Sequence, residues 1–179
     1  MSFNIRERRL QNDFRLVEQL HRNSDLIDLV RSDGNPPDSY TIRYTCKGVE
    51  SVDSRNRPVF REVHEVSIYL HAEYPLKQPQ IKWLTPIYHP NIHTTGAVCI
   101  GAWWPAKTLD ELILTMGDMV QYKNLDPKDP MNSQAAAWAR RNRHLFPVDG
   151  RELKGAQNAA DQIKLGEDED DDLLGIKLL

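Results

Sequence analysis

Over residues 5–21, Leu10, Phe14, Val17 and Leu20 recur at helical spacing among charged and amide side chains. The spacing predicts an amphipathic helix. Arg6, Arg8 and Arg9 stand at its start, where the helix dipole disfavours cations, so helix stability does not account for them. They form either a solvated basic face or a docking patch for an acidic partner. After the turn-forming run 32–37, strict alternation puts Tyr40, Ile42, Tyr44 and Cys46 on one face of a half-buried strand. Cys46 is expected there as a small hydrophobe. Residues 47–57 are polar and contain glycine, which suits a hairpin connection. Residues 59–72 then read as one long strand, with Val66, Ile68, Leu70 and Ala72 on a shared face. Tyr74-Pro75 ends that strand and residues 80–84 offer a shorter one. Three strands joined by short connections predict an antiparallel meander.

The second half of the chain reads as helices. Thr108-Leu109-Asp110-Glu111 has the form of a capping box, heading a helix that carries Leu112, Ile113, Met116 and Val120. A loop over residues 123–130 contains Asp126-Pro127 and Asp129-Pro130. Asn132 or Ser133 then caps a second helix, residues 134–143, whose alanines and Trp138 permit close packing. A last polar helix is expected over residues 150–165. The run 167–172 is wholly acidic and too charged to pack. The apolar ending 173–179 suits either a short helix folded back on the domain or a peptide that docks in a partner's groove.

Composition adds bounds to this picture. A chain of 179 residues with 40% hydrophobic content fits one buried core, with no second domain required. The apolar segments are short and interrupted by charge, and the first residues lack the apolar stretch of a signal peptide, so a cytoplasmic protein without a membrane span is expected. Cys46 and Cys99 are far apart and lack paired spacing, which suggests neither a zinc site nor a disulfide framework; both are expected as free thiols. Residues 167–179 carry six acids and one lysine; taking that −5 from the total of −3 leaves residues 1–166 at +2. A nearly neutral body gives no nucleic-acid footprint.

The candidate chemistry gathers in residues 88–100, where a turn-forming His-Pro-Asn and Gly96 lead to Cys99. A free cysteine is a strong nucleophile once ionised. Hydrolysis would need a histidine base, for which His89 and His93 are candidates by proximity in sequence. Pro90 fixes the turn, however, and makes His89 look like a residue that pins the loop. Transthiolation needs less: an accessible thiol, a donor for the oxyanion and a means of orienting an amine. Asn91 can supply the donor, or can bond its own turn backbone instead. A metal site built on Cys99, His89 and His93 lacks a further ligand pair at motif spacing.

The ordered set Tyr74-Pro75, Pro79-Gln80-Ile81, Tyr88-His89-Pro90-Asn91-Ile92-His93, Gly96-Ala97-Val98-Cys99-Ile100, Trp104-Pro105-Ala106 and Asp129-Pro130-Met131-Asn132 resembles the catalytic core of ubiquitin-conjugating enzymes. It covers approximately residues 5–146, and the ten-residue step from His89 to Cys99 is the family's own. The resemblance implies an α/β (α+β) fold: an N-terminal helix, a four-stranded antiparallel meander, a cysteine-bearing loop and C-terminal helices. A catalytic domain over residues 1–165 would precede an acidic tail with an apolar end, 166–179. Cys99 would accept the C-terminus of a ubiquitin-like protein as a thioester from an activating enzyme. Asn91 would hold the active-site loop and stabilise the oxyanion, and Asp129 would position and help deprotonate an acceptor lysine of a target protein. His89 and Pro90 would be structural. Arg6, Arg8 and Arg9 would lie where the activating enzyme docks, and Leu76, Trp104, Pro105 and Ala106 on the loops that meet a ligase. The resemblance implies no cofactor and no metal, and neither nucleic acid nor membrane as partner.

The sequence also departs from the family pattern. The stretch between Cys99 and Trp104 is several residues shorter than in typical eukaryotic members, and Gly101-Ala102 replaces the usual acidic or aliphatic residues. Leu76 stands where many members have a larger aromatic. The divergence suggests a member of a bacterial ubiquitin-like conjugation operon of the kind associated with antiviral defence against phage. Two other readings stand beside conjugation: a non-catalytic variant that only binds a ubiquitin-like protein or a partner enzyme, and a cysteine hydrolase with His89 or His93 as base.

Overall fold

The computed structural model describes residues 5–155. The first helix, α1, runs Ile5–Asn23 and buries Leu10, Val17 and Leu20, the stripe that the periodicity predicts. Strands β1 (Ile27–Gly34), β2 (Pro37–Tyr44), β5 (His64–Tyr69) and β6 (Gln80–Trp83) form one antiparallel sheet in the order β1-β2-β5-β6. A separate hairpin of β3 (Gly48–Val52) and β4 (Pro58–Arg61) is inserted between β2 and β5. The helices α2 (Leu109–Val120) and α3 (Ser133–Arg141) follow, with a 3₁₀ turn at Arg143–Leu145. This is the expected mixed fold of N-terminal helix, four-stranded meander and C-terminal helices.

One face of the sheet makes the main core. Tyr40, Ile42 and Tyr44 on β2 and Val66 and Ile68 on β5 are buried against α1 and against Leu112, Ile113, Met116 and Val120 of α2, with Cys46 just past the end of β2. On the outer face Arg43 pairs with Glu65 across the strands, Nε to Oε1 2.9 Å. A smaller core of Val49, Tyr122, Trp138 and Ala139 lies where the hairpin meets α3.

Several sequence expectations are corrected here. The long strand over residues 59–72 is two strands: the chain bends at Glu62 and Val63, so β4 pairs with β3 and only β5 joins the main sheet. The supposed connection over residues 47–57 contains β3 itself, and Ala72 is exposed, outside the core face that ends at Leu70. The main sheet gains β1, which alternation did not reveal. The polar helix expected over residues 150–165 is not helical in its described part, residues 150–155; its remainder and the tail 166–179 lie outside the described residues. Among the described residues no helix is long and apolar enough to cross a membrane.

Both helix caps are as expected. The Glu111 carboxylate accepts the Thr108 backbone N–H at 2.9 Å, and the Asn132 side chain accepts from Ala135 N–H at 3.0 Å.

Candidate active site

After β6 the chain has no regular structure until α2, and the site is built from this stretch. Gly96 fixes one end of it. Its φ is +92°, and a Cβ there would stand 2.5 Å from the Trp83 carbonyl oxygen, so both conformation and space demand glycine. Trp83 N–H donates to Gly96 O at 2.8 Å, which ties the loop to the edge of the sheet. The Cys99 N–H donates to Asn91 O at 2.9 Å, which folds the cysteine back beside the His-Pro-Asn turn. Met131 and Asn132 N–H both donate to Pro90 O, at 2.8 and 2.9 Å, and join the turn to the head of α3.

His89 is fully buried and has both ring nitrogens committed. Nδ1 accepts from Asn91 N–H at 3.1 Å, and Nε2 faces the Asn124 carbonyl oxygen at 3.2 Å. These partners require a neutral ring protonated on Nε2. Burial pushes its pKa down to about 3, against a small opposing effect of the Asn124 contact. The ring sits edge-on to Tyr122, centroids 5.0 Å apart, and the Tyr122 hydroxyl donates to Tyr88 O. His89 therefore pins the loop and has no free nitrogen with which to take a proton.

Asn91 is 6% exposed, and its amide clamps the loop that follows α2. Nδ2 donates to Asp126 O at 2.8 Å while Oδ1 accepts from Asp126 N–H at 2.7 Å. Asp126 in turn caps its own loop, its Oδ1 accepting Lys128 N–H at 2.8 Å. The clamp uses one of the two Nδ2 hydrogens.

These contacts bring Cys99, Asn91 and Asp129 together around a cavity of about 190 Å³, with Ile100, Gly101, Met119, Asn124 and Asp126 completing its walls. Cys99 is exposed, whereas Cys46 is buried and its thiol is pushed up to about 12 by desolvation, with Asp149 adding to it. Gly101 has φ +74°, which favours glycine, and a side chain there would meet open space, so it is the backbone conformation of the short step after Cys99 that calls for glycine. His93 lies elsewhere: Nδ1 stands 2.8 Å from the Thr95 hydroxyl, and the residue lines a separate groove with Lys82 and Gln134.

The loops expected to meet partners are adjacent. Trp103 Nε1–H donates to Pro75 O at 2.8 Å, and its ring lies 5.9 Å from that of Tyr74. Leu76, Trp104, Pro105 and Ala106 are all exposed beside this junction. Of the three arginines at the start of α1, Arg9 has an internal task that the sequence did not reveal. Its guanidinium donates to Asp13 Oδ2 at 2.8 Å, to the Tyr74 hydroxyl at 2.9 Å, and to the carbonyls of Pro105 and Lys107. Arg6 donates to Leu70 O at 2.8 Å, and Arg8 is exposed on the helix.

Sequence reasoning missed the backbone of Asp126, the carbonyl of Asn124 and Tyr122, which hold Asn91 and His89 from a loop 35 residues away. The Asp-Pro dipeptide marks that loop as a turn but gives no sign of its partner.

A family model described as ubiquitin-conjugating enzyme matches residues 52–152, a stretch that contains every residue of the cavity. Ubiquitin-conjugating enzyme E2 T of Bos taurus is 30% identical over 105 residues, covering 54% of this chain and 53% of that protein. Ubiquitin-conjugating enzyme E2 13 of Saccharomyces cerevisiae is 30% identical over 107 residues, covering 57% and 67%. The chain thus spans about half the length of the first of these relatives. The E2 domain of a Toxoplasma gondii ubiquitin conjugating enzyme superposes with a TM-score of 0.54 over 80% of this chain and 92% of that one; at 22% identity this likeness speaks to the fold. By the fold and by the match over residues 52–152, the chain belongs to the ubiquitin-conjugating enzyme family.

Proposed function

We propose that the chain carries a ubiquitin-like protein on Cys99 as a thioester and transfers it to an amine, a lysine of a target protein. The observation that supports this reading best is an exposed Cys99 sharing one cavity with Asn91 and Asp129 while His89 is locked and neutral. Such a site suits an acyl group that arrives already activated.

In the first step the Cys99 thiolate attacks the carbonyl carbon of the thioester between the modifier and an activating enzyme. The new C–S bond forms as the old one breaks, and the activating enzyme's sulfur leaves as a thiolate. In the second step the acceptor amine attacks the Cys99 thioester, its proton passes to the Asp129 carboxylate, and Cys99 departs as a thiolate from the new amide. Asn91 holds the loop and offers its second Nδ2 hydrogen to the oxyanion. Asp126 and Asp129 on the cavity wall attract an ammonium group before it loses its proton. Arg6 and Arg8 on α1 take part in docking the activating enzyme, and the adjoining loops with Leu76, Trp104, Pro105 and Ala106 receive a ligase.

A cysteine hydrolase would need a base beside the thiol. His89 has neither a free nitrogen nor a suitable pKa, and His93 lines a different groove. The test is to incubate the full chain with ubiquitin-activating enzyme, ATP and ubiquitin and to compare wild type with Cys99→Ser. Wild type should give a reductant-labile thioester and the serine variant a reductant-resistant oxyester. Turnover of a simple thioester without activating enzyme, abolished by His93→Ala, would instead establish hydrolysis.

A further inference from the structure

Behind the loop that Asn91 clamps lies a second cleft, of about 280 Å³, unrelated to the thiol cavity. Tyr122, Leu125, Pro127, Ala139 and Phe146 make its apolar walls, and Arg143 stands at its edge. Arg140 borders it as well, since its Nη2 donates to Pro127 O. Both arginines are exposed, and among the described residues neither meets a carboxylate. Lys128 adds a third exposed cation next to Pro127. The nearby acids Asp126 and Asp129 line the thiol cavity on the other side of the loop. An apolar slot with a cationic edge calls for a ligand with acids next to aliphatic side chains.

The chain itself contains such a ligand. Residues 167–172 are six consecutive acids, and residues 173–179 include four leucines and an isoleucine. The chain passes beside the cleft wall shortly before the described residues end. The carbonyl of Arg151 accepts from Gln121 Nε2 at 2.8 Å and from Lys123 Nζ at 2.9 Å, the residues on either side of Tyr122 in the cleft wall. Three residues separate Arg151 from Gly155, which lies against the Asn23 backbone at the end of α1. From there, residues 156–166 can span up to about 36 Å when extended. Covalent tethering over so short a spacer gives an effective concentration in the millimolar range, so a weak intrinsic fit suffices.

We infer that residues 167–179 dock on their own domain, the leucines in the cleft of Tyr122, Leu125, Pro127, Ala139 and Phe146 and the acids on Arg140 and Arg143. The occupied cleft braces the back of the loop that presents Asp126 and Asp129 to Cys99. Docking is salt-sensitive because its charged part is exposed.

Hydrogen exchange of the full chain tests this without reference to any conjugating activity. At low salt the amides of residues 173–179, and those of Leu125, Asp126 and Lys128, should be protected at least about ten-fold more than in a variant with Leu173, Leu174, Leu178 and Leu179 changed to Asp. Charge reversal at Arg140→Glu and Arg143→Glu should remove the same protection, as should Asp170, Asp171 and Asp172→Lys, which leaves the domain itself untouched. Exchange of residues 173–179 at the unstructured rate in the wild-type chain overturns the proposal. So does protection that survives both charge reversals, because the tail then folds elsewhere. Protection that is lost on dilution also overturns docking in cis, because the occupant is then the tail of a second copy.

Discussion

Asn91 shows how one side chain sets the geometry around Cys99. Its amide spans the Asp126 peptide, accepting from one side and donating to the other. Replacing it with alanine leaves two loop groups without partners. Asn91→Ala should lower stability by about 1–3 kcal/mol in urea unfolding and should slow transfer to lysine more than it slows thioester formation. Asp129 makes a different prediction. If its carboxylate takes the proton from the attacking amine, Asp129→Asn should slow discharge to free lysine by at least about ten-fold near neutral pH. The deficit should narrow as the pH approaches about 10, where lysine supplies its own neutral amine. A deficit independent of pH would assign Asp129 a steric role. The grouping of Cys99, Asn91 and Asp129 around one cavity was legible in the sequence because they lie in short motifs with fixed order. The clamp between Asn91 and Asp126 was not, because it joins a side chain to a backbone far along the chain.

The elements are joined by one buried polar cluster. Asp13 on α1 is fully buried and accepts from Arg9 at 2.8 Å, from the Tyr74 hydroxyl at 2.6 Å and from Leu109 N–H at 3.2 Å. The last bond places a carboxylate at the N-terminus of α2, where the helix dipole favours it. Burial, together with the Asp13 charge, pushes the Tyr74 hydroxyl pKa well up, so Tyr74 remains a donor. Asp13→Ala leaves the Arg9 guanidinium without its carboxylate among these elements, and a loss of about 3–5 kcal/mol is expected by denaturant midpoint. At this scale the helices were legible from their caps and apolar stripes, and β2 from its alternation. β1 was hidden because a bulge between Leu29 and Arg31 breaks its register against β2. The hairpin was hidden because β3 and β4 are short and partly exposed, with Glu50 and Arg61 pairing across them at 2.8 Å.

In the whole molecule, the site lies where the main core meets the smaller core around Tyr122 and Trp138, and His89 occupies that seam. His64, buried at the start of β5, faces Trp83 and packs against Gly48 of the hairpin. Burial lowers its pKa to about 4, as it lowers that of His89 to about 3. Both folded-state values lie below that of an exposed histidine, about 6.5, so the unfolded chain binds more protons throughout that interval. Their stabilising contribution is therefore complete above about pH 6.5 and is lost as the pH falls towards the folded values. Each histidine should contribute a slope approaching about 1.4 kcal/mol per pH unit, and urea unfolding between pH 7 and 4.5 measures it. A His64→Gln chain should lose one share of that slope even if it is less stable at every pH.

The acyl carrier is the centre of the account, and intact mass of the full chain after incubation with ubiquitin-activating enzyme, ATP and ubiquitin addresses it directly. One added ubiquitin, less a water, is predicted on wild type and on His93→Ala, released by thiol reductant and absent from Cys99→Ala. An adduct that persists in Cys99→Ala, or that resists reductant in the wild-type chain, would contradict it.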